Sequence, residues 1–102
     1  LFFKIIMSDI GSAWTLRVQI ECGKDFDVGI SKNKNIGGYF RCLFNNCINQ
    51  TSIVRIPTCI EQDFNPTWNE ALEWQFNDKI LKILKKKGEI IKLQLYILMN
   101  WE

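Results

Sequence analysis

The sequence predicts an all-β chain: an antiparallel β-sandwich with one short amphipathic helix inserted before its last strand. Three observations carry that expectation. Apolar residues alternate with polar ones at Leu16, Val18, Ile20 and Cys22, at Leu72, Trp74 and Phe76, and at Ile91, Leu93, Leu95 and Ile97, the period-2 pattern of strands that bury one face. The period changes between Asn77 and Lys87, where Ile80, Leu81, Ile83 and Leu84 recur at helical spacing among lysines. Turn formers punctuate the runs at Gly23, Asn45-Asn46, Pro57 and Asn65-Pro66. Short alternating strands separated by such turns, with no internal repeat, fit two packed sheets.

Length and composition bound what the chain can do. Its 102 residues, 47% hydrophobic and 24% charged, suit one domain with a modest core. A formal charge of +2 is too small to point to nucleic acid, and no apolar run approaches the roughly 18 residues of a membrane-spanning helix. Histidine is absent, which removes the commonest general base and every mixed Cys/His zinc site. The sequence also carries no Gly-rich phosphate loop, no nucleophile elbow and no well-placed pair of carboxylates. No enzyme, cofactor or metal centre is therefore expected. Cys22, Cys42, Cys47 and Cys59 form no Cys-x-x-Cys pair; they read as reduced thiols of a cytoplasmic protein, since disulfides track oxidising compartments. Asn49-Gln50-Thr51 is a formal glycosylation sequon, which chance supplies readily in an Asn-rich chain.

In chain order, residues 1–13 read as an N-terminal extension or an extra strand, and 14–102 as the sandwich domain. Leu1–Met7 is apolar but lacks the basic region and small-residue cleavage site of a signal peptide, so a terminal strand or the continuation of an upstream segment fits better. Ser8–Ala13 reads as a polar link. Trp14–Cys22 is a strand with Arg17, Gln19 and Glu21 on its polar face, and Gly23 ends it. The long loop from Gly23 to Gly38 is of the kind that carries function. Tyr39–Phe44 is an aromatic-rich strand, followed by a tight turn at Asn45-Asn46, because asparagine tolerates positive φ. Ile48–Ile56 reads as an edge strand closed by Pro57. Asn65-Pro66 turns the chain into the strand Ala71–Phe76. Asn77 or Asp78 suits a helix N-cap, lysines fill the last turn, and Gly88 suits the C-cap. Ile90–Met99 is the final strand.

The stretch Asn65-Pro66-Thr67-Trp68-Asn69-Glu70 resembles the Asn-Pro-x-Trp-Asn-Glu signature of the C2 domain, a lipid- and calcium-binding β-sandwich. Glu73-Trp74 is similar to the ferlin branch of that family. Leu16-Arg17-Val18-Gln19-Ile20 resembles the family's first landmark strand, Gly37-Gly38-Tyr39 stands where it has Asp-Pro-Tyr, and Leu93–Trp101 resembles its later strand in apolar alternation. The resemblance runs from Leu16 to the C-terminus. It implies a C2-type sandwich in which Trp68 covers one end and Asn69 and Glu70 bond backbone exposed by the turn. It also implies a sandwich incomplete at the C-terminus, its remaining strands lying beyond Glu102 or supplied by another segment such as Leu1–Ile6. Family members hold Ca²⁺ with loop aspartates, because a hard cation needs several anionic oxygens. The matching positions here are Ser31, Gly37, Met99 and Trp101, none of them acidic; Asp25 and Asp27 fall too early and Asp63 has no partner. The expectation is calcium independence.

The densest basic cluster is Lys79, Lys82, Lys85, Lys86, Lys87 and Lys92. Beside an anionic leaflet each such lysine contributes ~1 kcal/mol; the same residues also read as the solvated face of a helix. Lys24, Lys32 and Lys34 form a looser group in the long loop, where Phe26, Val28 and Ile30 either insert into a bilayer or fold back. Two functions stay open. One is a calcium-independent C2-type module, cytoplasmic and peripheral to membranes, that tethers a larger protein to anionic phospholipid or to a protein partner, in membrane trafficking or fusion as the ferlin likeness implies. The other is a structural docking module inside a large cytoskeletal or ciliary assembly, without lipid binding. Neither involves nucleic acid or a transmembrane segment in this chain.

Overall fold

Alternating apolar residues build two antiparallel sheets in the computed structural model, which describes residues 1–11, 13–23, 35–56, 65–99 and 101. The elements are β1 (Phe2–Ile10), β2 (Ala13–Cys22), β3 (Gly37–Phe44), β4 (Cys47–Gln50), β5 (Val54–Arg55), β6 (Thr67–Asn77), α1 (Asp78–Lys87) and β7 (Lys92–Leu98). The first sheet has the order β1-β2-β6. In the second, β3 is central: β7 pairs with one edge, and β4 and then β5 pair with the other.

The core forms where the apolar faces meet. Leu16, Val18 and Ile20 of β2 and Leu72 and Trp74 of β6 are buried with Phe40, Cys42 and Phe44 of β3. Aromatic rings cross the gap edge to face, Phe40 on Trp68 at 4.9 Å and Phe44 on Trp74 at 6.0 Å between centroids. Asn45 and Asn46 both have positive φ, 51° and 59°, as a two-residue hairpin loop between β3 and β4 requires. The helix obeys its predicted caps. Asn77 Oδ1 accepts from the Ile80 amide at 2.9 Å, and Gly88 closes the last turn in the left-handed region at φ 68°.

Several boundaries differ from the sequence expectation, each for a local reason. Ser8–Ile10 is strand rather than link, because its polar residues lie in an edge strand and meet Thr15, Trp14 and Ala13 of β2; the turn comes at Gly11, φ 64°. Residues 48–56 form two short strands instead of one. Between them Thr51 turns inward: its amide donates to Phe40 O at 2.9 Å and its hydroxyl accepts from Phe40 N at 3.0 Å. The strand after Pro66 starts at Thr67, not Ala71, because a β-bulge extends it. The pairing register shifts between Ile20 and Cys22, opposite Trp68-Asn69, and Asn69 sits at φ 47°. Pro57, Cys59 and Asp63 lie outside the described residues.

The two long sides of the sandwich differ. On one side β4 is bonded across to β6: Trp74 Nε1 donates to Cys47 O at 3.1 Å and Asn49 Nδ2 to Glu73 O at 2.9 Å. The sequon asparagine is thus a bridge between sheets. The opposite side is bordered by β1 and β7. At one end α1 lays Leu84 on the core, and Trp14 Nε1 donates to Asp78. At the other end Trp101 packs on Gly37, held by its amide donating to Asn35 O at 2.8 Å.

A methyl group at Gly37 would lie 2.7 Å from both the Trp101 ring and Ile53. Gly37→Ala is expected to cost about 1–3 kcal/mol in urea unfolding by overpacking. Cys22, Cys42 and Cys47 are free thiols, and burial raises the Cys42 pKa above its ordinary 9.0. An alkylating reagent should therefore label exposed Cys47 in the folded chain and Cys42 only on unfolding. The stability contributed by the neutral Cys42 thiol is fully present below pH 9.0 and is lost as pH rises through the raised folded value; Cys42→Ala should remove that part of the alkaline decline.

Candidate anion-binding surfaces

Lysines collect on α1 because its buried stripe is narrow. Ile80 and Leu84 face the core, so Lys79, Lys82 and Lys86, spaced i, i+3 and i+7, fall on the opposite side. Lys85 and Lys87 flank them in the last turn, where the helix dipole favours cations. All five are exposed. Among the described residues none is held in an ion pair, whereas on the outer face of the first sheet Lys4 pairs with Glu21 and Arg17 with Glu73, each at 3.7 Å.

Lys92 belongs to a different surface at the same end of the sandwich. It opens β7 opposite Leu43, next to the Arg41–Gln94 pair, on the outer face of the second sheet. There Arg41, Leu43, Ile48, Lys92, Gln94 and Tyr96 line a shallow cleft of about 100 Å³. The Arg41 guanidinium lies 5.3 Å from the centre of the Tyr96 ring, and Tyr96 stacks on Tyr39 at 5.4 Å. The Tyr96 hydroxyl donates to Gln94 Oε1 at 3.2 Å. Arg41 Nε is buried and has no hydrogen-bond partner among the described residues. The guanidinium as a whole is the cationic group of this cleft, and a guanidinium pairs well with carboxylate or phosphate oxygens.

The expected basic cluster is thus divided: five lysines stay on the helix, and Lys92 joins Arg41. Arg41 was not among the residues that charge clustering singled out, since it is alone in sequence. The signal lay in strand alternation, which sets Tyr39, Arg41 and Leu43 on one outward face. Lys24, Lys32, Lys34 and Phe26 lie outside the described residues. Their neighbours Gly23 and Asn35 are bonded to Pro66 and Trp101, at the end away from α1.

Of the positions where the C2 resemblance looks for calcium ligands, Ser31 lies outside the described residues, as do Asp25, Asp27 and Asp63. Gly37 and Trp101 are packed against each other, and Met99 is exposed. Among the described residues no group of three or more metal-ligating side chains gathers, and no helix is long and apolar enough to cross a membrane. Compared with models of known families, with curated proteins and with solved structures, the chain has no match in any of the three.

Arg41→Met keeps the stem on Tyr96 and removes the unpaired Nε. Its melting temperature is expected to stay level or rise, by up to about 1 kcal/mol of added stability, whereas loss of an internal ion pair would lower it. Thermal denaturation of the two proteins checks this.

Proposed function

We propose that this chain is a non-enzymatic, calcium-independent binding module of C2 type that docks a larger protein on an anionic surface, in the first place phospholipid membrane. The observation that carries the reading is the row of exposed lysines on α1, without an ion pair among the described residues, at the same end of the sandwich as Lys92 and Arg41. A membrane is broad enough to meet both surfaces together, and at ~1 kcal/mol per lysine the helix alone supplies reversible attachment. The C2 identity itself is part of the proposal. In its support, Trp68 and Glu70 flank a β-bulge at Asn69 and each bonds to the second sheet or its connecting turn. An uncharged packing of Trp101 on Gly37 where that family gathers acids supports calcium independence.

Vesicle sedimentation tests the reading. Binding is expected with vesicles containing phosphatidylserine, not with neutral ones, and should be unchanged by calcium or chelator. It should weaken as salt rises. Lys85→Glu, Lys86→Glu and Lys87→Glu together should reduce the apparent affinity at least about a hundredfold. Absence of binding at low salt would refute the membrane reading and favour a purely structural docking module in a protein assembly.

A further inference from the structure

We propose that Ile10, Ile83 and Ile90 enter the acyl region of an anionic lipid bilayer, so that the α1 end of the sandwich holds a membrane by apolar insertion as well as by charge. Insertion presupposes the membrane docking proposed above and adds how that same surface grips lipid. Ile10 and Ile90, 88% and 72% exposed, are the two most exposed large apolar side chains among the described residues. Such side chains scattered singly are ordinary on a protein surface. These two lie at one end, and Ile83 joins them there at 44%.

Their shared placement follows from register and chain order. Ile10 ends β1 opposite Ala13, and Ala13 stands opposite Asn77, the N-cap of α1. Ile90 stands in the link of residues 88–91 between α1 and β7. Lys92, which opens β7, pairs with Leu43 just before the Asn45-Asn46 turn. That turn is at the α1 end too, since the Phe44 ring lies 5.9 Å from Phe76, next to Asn77.

Lysines surround these side chains. Ile83 is off the buried stripe of Ile80 and Leu84. Lys79, Lys86 and Lys87 stand at i−4, i+3 and i+4 from it, which makes them its neighbours on the helix surface. The acids at this end among the described residues are Asp9, Asp78 and Glu89. Asp78 accepts from Trp14, and Glu89 lines a small hollow with Lys85, Leu81 and Leu84. Beside the five lysines of α1 and Lys92, these three leave the end cationic.

Apolar side chains set singly among cations suit a bilayer better than a protein. A protein partner buries its anchors in pockets shaped to each of them. A fluid leaflet needs no matching shape. Its phosphates meet the lysines, and the acyl chains just beneath receive the apolar side chains that project between them.

Sedimentation with phosphatidylcholine vesicles containing phosphatidylserine tests the proposal, with soluble poly-glutamate as a probe of charge alone. At about 1 M salt, where charges act only within ~3 Å, part of the vesicle binding should persist while poly-glutamate binding vanishes. Ile10→Ser, Ile83→Ser and Ile90→Ser together should raise the apparent vesicle dissociation constant by about tenfold or more. They should also remove the salt-resistant part and leave poly-glutamate binding at low salt unchanged. Ile6→Ser, as exposed as Ile83 but on the outer face of the first sheet, should change neither. None of the three isoleucines belongs to the core. Should circular dichroism nevertheless show the triple variant unfolded, Ile90→Ser alone, outside any strand or helix, must lower the salt-resistant part. Vesicle binding wholly abolished by high salt, or unchanged by the serine variants, would overturn insertion and leave docking by charge in place. An equal loss of poly-glutamate binding would mean that the isoleucines shape the lysine surface or meet a peptide, and would overturn it as well. No vesicle binding even at low salt would refute both insertion and membrane docking.

Discussion

One corner of the molecule sets the two sheets against each other, and it lies at Trp68-Asn69-Glu70. Burial of alternating side chains drives the sheets together but is not directional; it leaves their mutual setting open. The corner supplies direction. Asn69 takes a positive φ, the register of β6 shifts by a residue, and residues on both sides of the bulge reach the second sheet. The Trp68 indole donates to Gly38 O at 3.3 Å and its ring meets Phe40. Glu70 accepts from the Ser52 amide at 3.1 Å with either carboxylate oxygen, and from the Ser52 hydroxyl at 2.5 Å. The Trp68 bond is the costly one to break, because its buried N–H left without an acceptor forfeits its hydration as well; the Ser52–Glu70 bonds are exposed.

From that corner the asymmetry of the sandwich follows. Among the described residues the sheets are joined along the β4–β6 side by side-chain to backbone bonds, and along the β1–β7 side Phe3, Ile5 and Met7 face Leu93, Leu95 and Ile97. The ends differ in the same way. The α1 end carries exposed lysines, and the other end is filled by an indole packed on glycine.

Much of the fold could be read from residues alone. The alternation in Leu16–Ile20 and Leu72–Phe76 named core residues correctly, because a strand has only two faces and one of them must be dry. Asn77, Gly88 and the lysines between them announced the helix with its caps, since the groups that satisfy helix ends are local in sequence. Boundaries were less legible where a long-range partner sets them. Nothing near Ser8 tells that it continues a strand, because its pairing with Thr15 depends on a turn still to come. Likewise Thr51 breaks an otherwise plausible strand through its bonds to Phe40, eleven residues away.

By itself, the sequence determined that the chain is built from strands with one capped helix, which side chains are apolar enough to form the core, and that α1 bears a lysine face. Each of these depends on near neighbours and on period. Tertiary structure alone decided that Arg41 lies over Tyr96 and beside Lys92, that Glu70 holds Ser52, and that β1 and β7 border the same opening. Those arrangements join residues far apart in the chain, and their geometry comes from the register and packing of whole sheets, which no local pattern encodes.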